Sequence, residues 1–208
     1  MFYWFVQIII GILARFLFRF KIQGGENIPS KGGFILASNH RSNLDPVILS
    51  VCIDRKLFFL AKAELFENNV SKRILRRLNC IELTRSGEDK AALKKGIRLL
   101  HDGKGLLLFP EGTRSRDNRL GRARPGISLF AFTTGVAVIP VYVTGTEKAL
   151  PIGSRMIKPD AAIRVVFGRP LYARKDMPHG ARKAGYQAFA DSIIDGISNI
   201  EKSNPADN

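Results

Sequence analysis

A histidine and an aspartate stand five residues apart in the stretch ASNHRSNLDPV, at His40 and Asp45. An imidazole held by a carboxylate is a good general base near neutral pH and can take a proton from a hydroxyl group. On one continuous helix, a spacing of five would turn the two side chains about 140° apart, so a working pair requires His40 in a turn. Three histidines in 208 residues allow such a spacing to arise by chance, and the pair alone does not establish catalysis.

Pro46 supplies the expected turn. Proline is common at the first helical position and aspartate is a good N-cap, so Asp45-Pro46 is typical of a helix start. We expect one Asp45 oxygen to hold the His40 ring and the other to cap backbone N–H groups. Asp45 then has a structural role whether or not the site is catalytic.

A second stretch, FPEGTRSRDNRLGRARPG at residues 109–126, combines Gly112 with a high density of arginine. Guanidinium groups on a glycine-bearing loop are typical of a phosphate site. A basic loop near lipid can instead attract only anionic headgroups, and this interpretation is preferred for three members of the loop: Arg116, Arg119 and Arg122. Glu111, surrounded by positive charge, is expected to orient an arginine or to contact a substrate hydroxyl.

Alternating strands and helices must position these two stretches. Strands are predicted at 34–38, 56–61, 80–84, 105–109, 136–143 and 161–167. Helices are predicted at 46–53, 64–78, 88–101 and at the C-terminus, where one face carries Tyr186, Phe189, Ile193, Ile194 and Ile197. The pattern predicts one α/β domain over 23–202, with a largely parallel or mixed central sheet flanked by helices, and a polar tail at 203–208. Both stretches follow predicted strands, whose carboxyl ends are where such sheets bind ligands.

The first 22 residues are predicted to form a membrane-associating helix. The uncharged run ends at Arg15, which is short of the roughly 18 to 20 residues that a spanning helix needs. No basic region precedes it and no cleavage site follows it, so a removable signal peptide is not expected. The polar or small residues recur every four positions: Tyr3, Gln7, Gly11, Arg15 and Arg19.

This stripe is typical of a helix that lies in the membrane interface with its basic residues toward the headgroups. The residues expected to contact the membrane are Phe2, Trp4, Phe5, Ile9 and Phe16. The alternatives are an ordinary core helix or a spanning helix whose basic end lies in the cytoplasm. In either membrane orientation, we expect the rest of the chain at the cytoplasmic face of the cell membrane.

A net charge of +15 indicates an acidic partner such as an anionic membrane, a phosphorylated substrate or nucleic acid. Nucleic acid is disfavoured because no aromatic residues alternate with the arginines of the 109–126 loop. His101 and His179 have no ligand spacing with His40 or the cysteines, so no metal is expected. Cys52 and Cys80 are too few for a disulfide framework and are expected to be buried thiols.

Together, NHRSNLDP and FPEGTRS resemble the first and third motifs of the glycerolipid acyltransferases, and most closely those of the 1-acyl-sn-glycerol-3-phosphate acyltransferases. The resemblance extends over residues 34–145. The family's second motif is similar to 62–85, where Lys62, Glu64, Leu65 and Arg85 match. The family's proline and two glycines in that motif are here Asn69, Lys72 and Asn79, and Asn79 is expected to adopt the left-handed conformation of a glycine. VIPVYV resembles the fourth motif, with Arg124 and Gly126 before it.

The resemblance implies that His40 is the general base and Asp45 its partner. It implies that Glu111, Gly112, Thr113 and Arg114 bind a glycerol phosphate, and that Lys62 and Arg85 complete a cationic pocket. The implied reaction transfers a fatty acyl group from acyl-CoA or acyl carrier protein to the sn-2 hydroxyl of lysophosphatidic acid, giving phosphatidic acid without a cofactor. Another lysolipid or glycerol 3-phosphate as acceptor is the alternative, and a non-catalytic basic protein on anionic membranes is a further one.

Overall fold

The protein folds around one mixed sheet. The structure, a computed structural model, describes residues 2–83, 90–173 and 182–205. The described strands are β1 (Arg19–Gln23), β2 (Phe34–Ser38), β3 (Leu57–Lys62), β4 (Cys80–Leu83), β5 (Gly105–Leu108), β6 (Ala137–Thr144) and β7 (Ala162–Phe167). The described α-helices are α1 (Phe2–Leu17), α2 (Asp45–Val51), α3 (Asn69–Arg77), α4 (Lys90–His101), α5 (Gly126–Thr134), α6 (Thr146–Ala149) and α7 (Arg182–Ser203).

Five of the strands run parallel and share one carboxyl edge. The sheet order is β1-β7-β6-β2-β5-β3-β4, and every neighbouring pair from β6 to β4 is parallel. The antiparallel step is β6 to β7, and β1 then pairs with β7 in parallel. The prediction of an α/β domain with a mixed sheet is therefore confirmed, and β2 is the central strand of the seven-stranded sheet.

Helices cover both faces of the sheet, because alternate strand residues point to opposite sides. Phe34 and Leu36 of β2 join a core with residues of α1, α2 and α6, while Ile35 and Ala37 join a second core with α4, α5 and α7. All five residues of β2 are buried. A strand buried on both faces reads as a continuous apolar run, which is why FILAS is predictable from the sequence.

The predicted strands are present with their described ends shifted by at most one residue, and the predicted end of the third at Thr84 lies outside the described residues. One predicted helix is wrong. The segment 64–78 is a 3-10 turn at Ala63–Phe66 followed by α3. Asn68 adopts an extended backbone, and its side chain accepts the N–H of Val70 at 2.8 Å, so a new helix begins there. Asn79, which follows α3, has φ of 66°, so the predicted left-handed conformation is confirmed.

Two of the described helices, α5 and α6, were not predicted from the sequence. α5 was not predicted, because GISLFAFTT is apolar on nearly all sides and shows no helical period. α2 begins at Asp45 and ends at Val51, close to the predicted 46–53. The predicted start of α4 at Glu88 lies outside the described residues, whereas its end at His101 is confirmed.

The N-terminal helix packs on the domain through part of its predicted polar stripe. Tyr3 and Gly11 are buried, and the Gln7 amide donates hydrogen bonds to the Ser50 carbonyl at 2.6 Å and the Ile53 carbonyl at 2.9 Å. The first three members of the stripe therefore pack on α2 and the segment after it, where the end of a helix leaves carbonyl groups without intrahelical partners, whereas Arg15 is exposed. The opposite, apolar face is exposed.

The N-terminal helix is also shorter than predicted, because it ends at Leu17 and Arg19 belongs to β1. The predicted membrane-contacting residues lie on the exposed face: Phe2, Trp4, Phe5, Ile9 and Phe16. None of the described helices combines the length and the apolar content that crossing a membrane requires.

Candidate active site

The two stretches singled out in the sequence meet at the carboxyl edge of the parallel block. Residues 39–44 leave the end of β2, and the loop from 109 leaves the end of the neighbouring strand β5. The main chains of these loops touch, because the N–H of Ser115 donates to the carbonyl of His40 at 2.8 Å. The parallel pairing thus brings together residues some 70 positions apart in sequence.

His40 and Asp45 form a hydrogen-bonded pair. The His40 Nδ1 lies 2.8 Å from Asp45 Oδ2, and the Asp45 side chain is fully buried. The same Oδ2 accepts the backbone N–H groups of Arg41 at 2.7 Å and Ser42 at 2.8 Å. Oδ1 accepts the hydroxyl of Thr146 at 2.5 Å. Four donors therefore surround one buried carboxylate, which satisfies the charge and fixes its orientation.

The expected capping role of Asp45 is wrong. Leu44 is the N-cap of α2, no side chain caps that helix, and Asp45 is the first helical residue. Its carboxylate turns back to the N–H groups of the preceding loop instead of the N–H groups of the helix. Pro46, which follows directly, has no N–H to satisfy. Asp45 therefore does not cap α2; its carboxylate instead holds the turn that contains His40 by accepting from the N–H groups of Arg41 and Ser42.

The His40 ring is oriented from two sides. It stacks on Phe109, with ring centroids 3.8 Å apart and the planes inclined by 15°, while Asp45 holds Nδ1. The hydrogen bond to Asp45 assigns the ring proton of His40 to Nδ1, because a carboxylate can only accept. The lone pair of the ring is then on Nε2. The side chain is 17% exposed, so the ring is largely buried but still reaches the surface. A histidine in this state can accept a proton at Nε2.

Glu111 joins the two loops through its carboxylate. Oε1 accepts the backbone N–H of His40 at 3.3 Å, and Oε2 accepts the N–H of Gly121 at 3.0 Å. The side chain is buried. In this structure Glu111 therefore holds main-chain groups of both loops, a role that the sequence did not suggest. Its contact with a substrate hydroxyl stays a prediction.

The loop after β5 has exposed polar groups close to Glu111. Gly112 has φ of 71°, a left-handed conformation that favours glycine, and a Cβ there would meet the Arg124 side chain at 2.8 Å. Thr113 is exposed and Arg114 is partly exposed. Across the described part of the chain, the Arg114 guanidinium has no hydrogen-bond or ion-pair partner. It is thus available to an anion close to His40.

Lys62 ends β3 at the same edge. The pairings through β5 place it level with Asn39, two strands away, which corresponds to roughly 10 Å at the usual strand separation. Lys62 is exposed. Arg85, the other predicted cation of the second motif, lies outside the described residues. Lys62 therefore borders the His40 site across one intervening strand, and its phosphate contact stays a prediction.

Three residues that support the site were missed in the sequence. Thr146 bonds Asp45 from 101 positions away. The Asn39 amide accepts the N–H of Val143 and donates to its carbonyl, both at 2.8 Å, so a side chain extends the pairing of β2 with β6. Asn39 lies within the NHRSNLDP motif, but Thr146 offers no local signal because its role depends on the neighbouring strand.

Arg41 is the third missed residue, and its bond to Glu201 connects the site to α7. Its guanidinium donates to the Asn118 carbonyl at 2.6 Å, to Glu201 at 2.5 Å and to the Tyr142 hydroxyl at 3.3 Å. Burial alone would lower the pKa of Arg41, but the Glu201 bond and the contacts with Tyr142 leave that pKa above its usual value. The charged side chain thus fastens the arginine-rich loop behind the His40 turn.

The site joins an imidazole–carboxylate pair, at the carboxyl edge of a parallel block, to a loop whose Arg114 guanidinium has no partner among the described residues. An α/β protein with such a site is equipped to deprotonate a hydroxyl group beside an anion. The model of the Acyltransferase family matches residues 19–144, which is more than half of the chain. The chain belongs to the Acyltransferase family. The matched region contains both loops and ends two residues before Thr146.

Relatives agree with this assignment. The chain is 33% identical over 161 residues to a chloroplastic 1-acyl-sn-glycerol-3-phosphate acyltransferase of Arabidopsis thaliana, covering 76% of this chain and 45% of that one. It is 27% identical over 183 residues to the 1-acyl-sn-glycerol-3-phosphate acyltransferase of Bacillus subtilis, covering 87% of each. The chain thus spans less than half of the chloroplastic relative but most of the bacterial one.

A solved structure has the same fold. The crystal structure of the 1-acyl-sn-glycerophosphate (LPA) acyltransferase PlsC from Thermotoga maritima superposes with a TM-score of 0.78. The alignment covers 99% of this chain and 83% of that one at 24% sequence identity. The likeness includes the N-terminal helix, because nearly the whole chain is aligned.

Proposed function

We propose that this protein transfers a fatty acyl group from a thioester to the sn-2 hydroxyl of 1-acyl-sn-glycerol 3-phosphate, giving phosphatidic acid. The bond of His40 Nδ1 to the buried Asp45 carboxylate carries the proposal, because it leaves Nε2 as a base at the carboxyl edge of an acyltransferase fold. The names of the relatives support the acceptor. The donor is acyl-CoA or acyl carrier protein.

In the proposed mechanism, Nε2 of His40 takes the proton of the acceptor hydroxyl as its oxygen attacks the thioester carbonyl. The new C–O ester bond forms, the C–S bond breaks, and the imidazolium returns its proton to the departing thiolate. Buried Asp45 stabilises the imidazolium, and stacking on Phe109 keeps the ring in place. No acyl-enzyme and no cofactor take part.

The acceptor phosphate is proposed to bind the loop after β5. Arg114 supplies a guanidinium that has no partner among residues 2–83, 90–173 and 182–205, Thr113 an exposed hydroxyl, and Gly112 a backbone that can approach a phosphate closely. Ser115, which follows Arg114, is bonded to the His40 carbonyl, so phosphate and base are close together. Lys62 and Arg85 are proposed to add positive charge at the rim of this pocket.

We propose further that the enzyme works at the cytoplasmic face of the cell membrane, held by the exposed face of α1. Eight large apolar side chains of this helix are exposed: Phe2, Trp4, Phe5, Ile8, Ile9, Ile12, Leu13 and Phe16. A contiguous apolar face of this size is typical of a contact with lipid or protein. A net charge of +15 favours anionic lipid.

One assay tests the reaction. Purified protein is given acyl-CoA or acylated carrier protein together with lysophosphatidic acid, and release of the thiol is followed. We expect His40→Ala to lower turnover by about 10²- to 10⁴-fold while the melting temperature stays near that of the unmodified protein. Unchanged turnover in His40→Ala, or no thiol release by the unmodified protein with any donor, contradicts the proposal.

The acceptor is tested with Arg114→Ala, because glycerol 3-phosphate and other lysolipids are the competing substrates. We expect this variant to lose activity selectively with acceptors that carry a phosphate monoester. Arg116→Ala is the matched control, since Arg116 is an exposed arginine of the same loop. An equal loss with all acceptors counts against lysophosphatidic acid as the substrate.

A further inference from the structure

Exposed apolar side chains also lie on the loop after α6. Ile152, Met156 and Ile157 are 41%, 79% and 46% exposed. We propose that residues 151–158 form a second lipid-contacting element, which inserts into the surface of an anionic bilayer beside α1. The inference rests on the membrane association in the proposed function and adds an element far from α1 in sequence.

The exposure of these side chains is built into the loop. The N–H of Ser154 donates to the Pro151 carbonyl at 3.0 Å, and the Ser154 hydroxyl donates to the Met156 carbonyl at 3.1 Å. The N–H of Lys158 donates to the Ala149 carbonyl at 2.8 Å and closes the base of the loop. A closed, hydrogen-bonded loop that presents its apolar side chains outward leaves them in water unless a partner covers them.

The loop adjoins the C-terminal end of α1. The N–H of Asp160 donates to the Leu17 carbonyl at 2.8 Å, which joins the end of the loop segment to the end of α1. Phe16, one residue earlier, is 87% exposed. Ala14 of α1 and Ala149 of α6 belong to the same core, so both elements lie on one face of the sheet. One bilayer surface can therefore contact α1 and the loop together.

The charge of the loop favours an anionic lipid surface over an apolar protein partner. Residues 151–159, PIGSRMIKP, include Arg155 and Lys158 and no acidic residue. Both cations are exposed and flank the apolar pair Met156 and Ile157. Apolar side chains that enter the acyl region, with cations beside them at headgroup level, match the arrangement by which peripheral proteins bind anionic membranes.

The loop at 151–158 follows directly after residues that are bonded to the active site. The Ser42 hydroxyl donates to the Leu150 carbonyl at 2.8 Å, immediately before the loop. The N–H of Ser42 is one of the donors to Asp45, and Thr146 of α6 is another partner of that carboxylate. A bilayer that contacts the loop therefore lies against the turn that carries His40, where a membrane-bound lysolipid must present its hydroxyl.

Tryptophan fluorescence in the full-length protein tests the contact. Trp4 is the only tryptophan of the chain, so Trp4→Phe removes the native signal and Met156→Trp then places one reporter in the loop. Vesicles of phosphatidylcholine and phosphatidylglycerol are prepared with or without brominated acyl chains. We expect bromine to quench the loop reporter and Trp4 of the unmodified protein. Tyr172→Trp in the same Trp4→Phe background is the control and should stay unquenched, because Tyr172 is exposed and its chain neighbours Leu171 and Ala173 belong to the core on the opposite face of the sheet.

Partitioning into vesicles is a second, independent test of the contact between the loop and lipid. Since Ile157 is exposed, Ile157→Asp should keep the fold and weaken partitioning into these vesicles by about tenfold. Tyr172→Asp, another substitution of an exposed apolar residue, should leave partitioning unchanged. With short-chain lysophosphatidic acid dissolved as monomers, Ile157→Asp should turn over at the rate of the unmodified protein.

The outcomes separate the loop from the proposed function. Quenching of Trp4 without quenching of the loop reporter overturns the loop contact but keeps membrane association through α1. No quenching at either position overturns both membrane statements, whereas thiol release from monomeric substrate would still support the reaction. Equal loss of turnover by Ile157→Asp on vesicles and on monomers assigns the residue to the fold and also overturns the inference.

Discussion

Replacing Asp45 with asparagine removes a buried charge but conserves the shape of the side chain, so it separates chemistry from structure. The amide oxygen can take the place of Oδ2 and accept from the His40 ring and the N–H groups of Arg41 and Ser42. The amide nitrogen then faces the Thr146 hydroxyl, which can accept instead of donate. All four contacts survive, and the imidazolium loses its counter-charge.

The expected magnitudes differ between two substitutions at this position. Asp45→Asn should change the free energy of unfolding by only about 1–2 kcal/mol, because weaker neutral bonds are offset by the relief of a buried charge. Asp45→Ala leaves two backbone N–H groups and one hydroxyl without a partner, at about 1–3 kcal/mol each, for a total of roughly 3–9 kcal/mol. Turnover by Asp45→Asn should fall by about 10³- to 10⁴-fold, as when an amide replaces the carboxylate behind a catalytic histidine.

Thermal unfolding and thiol release measure the two effects separately. For a chain of this length, about 1 kcal/mol corresponds to a shift of roughly 2–4 °C in Tm. Asp45→Asn should therefore melt within several degrees of the unmodified protein, and Asp45→Ala much earlier. The reasoning is refuted if Asp45→Asn keeps more than about a tenth of the turnover, or if it melts as early as Asp45→Ala.

Further predictions concern the supports of the site and the thiols. Thr146→Val should destabilise the fold by about 1.5–3 kcal/mol and slow turnover, because a buried oxygen of the Asp45 carboxylate loses its donor. Thr146→Ser keeps a hydroxyl and should restore both stability and turnover. Equal behaviour of the two variants contradicts this role. Arg41→Met should lower Tm more than Glu201→Gln, because only the former also removes the donors to the Asn118 carbonyl; comparison of the two melting curves decides it. Cys52 and Cys80 are partly exposed, so the prediction of buried thiols is wrong. Partial burial still raises the pKa of the Cys52 thiol to about 12 and that of Cys80 to about 11, so both stay protonated at pH 8. A disulfide reagent should therefore label them more slowly in the folded protein than in denaturant, and equal labelling rates would contradict the raised pKa values.

Much of the fold is predictable because its elements are locally encoded. FILAS and GLLL are apolar runs of strand length, and their burial on both faces explains why no alternation is seen. The start of a new helix after Asn68 was not predicted, because the helical spacing of apolar residues continues across this position. The Asn68 side chain caps α3 by accepting the N–H of Val70, which depends on the extended backbone at Asn68. α5 was missed for the opposite reason, since a helix buried on nearly all sides has no polar face to mark its period.

At the site, residue types and spacing identified His40, Asp45 and the loop at 109–126 because these lie in two short segments. The spacing also required His40 to lie in a turn, which the structure contains. Glu111 was recognised as unusual, but its bonds to the N–H groups of His40 and Gly121 depend on how two loops meet. Such a contact leaves no trace in local sequence.

An α/β chain with a candidate base, a basic loop and an apolar first helix can be recognised from residue types, periodicity and turn chemistry, which act over a few residues. The directions of the polar side chains could not be predicted in this way. The Asp45 carboxylate points away from the helix that it begins, and the Gln7 amide points toward α2. The physical reason is that each buried polar group takes the partner that the packed chain brings within hydrogen-bond distance, and for Asp45 that partner includes Thr146, 101 residues away.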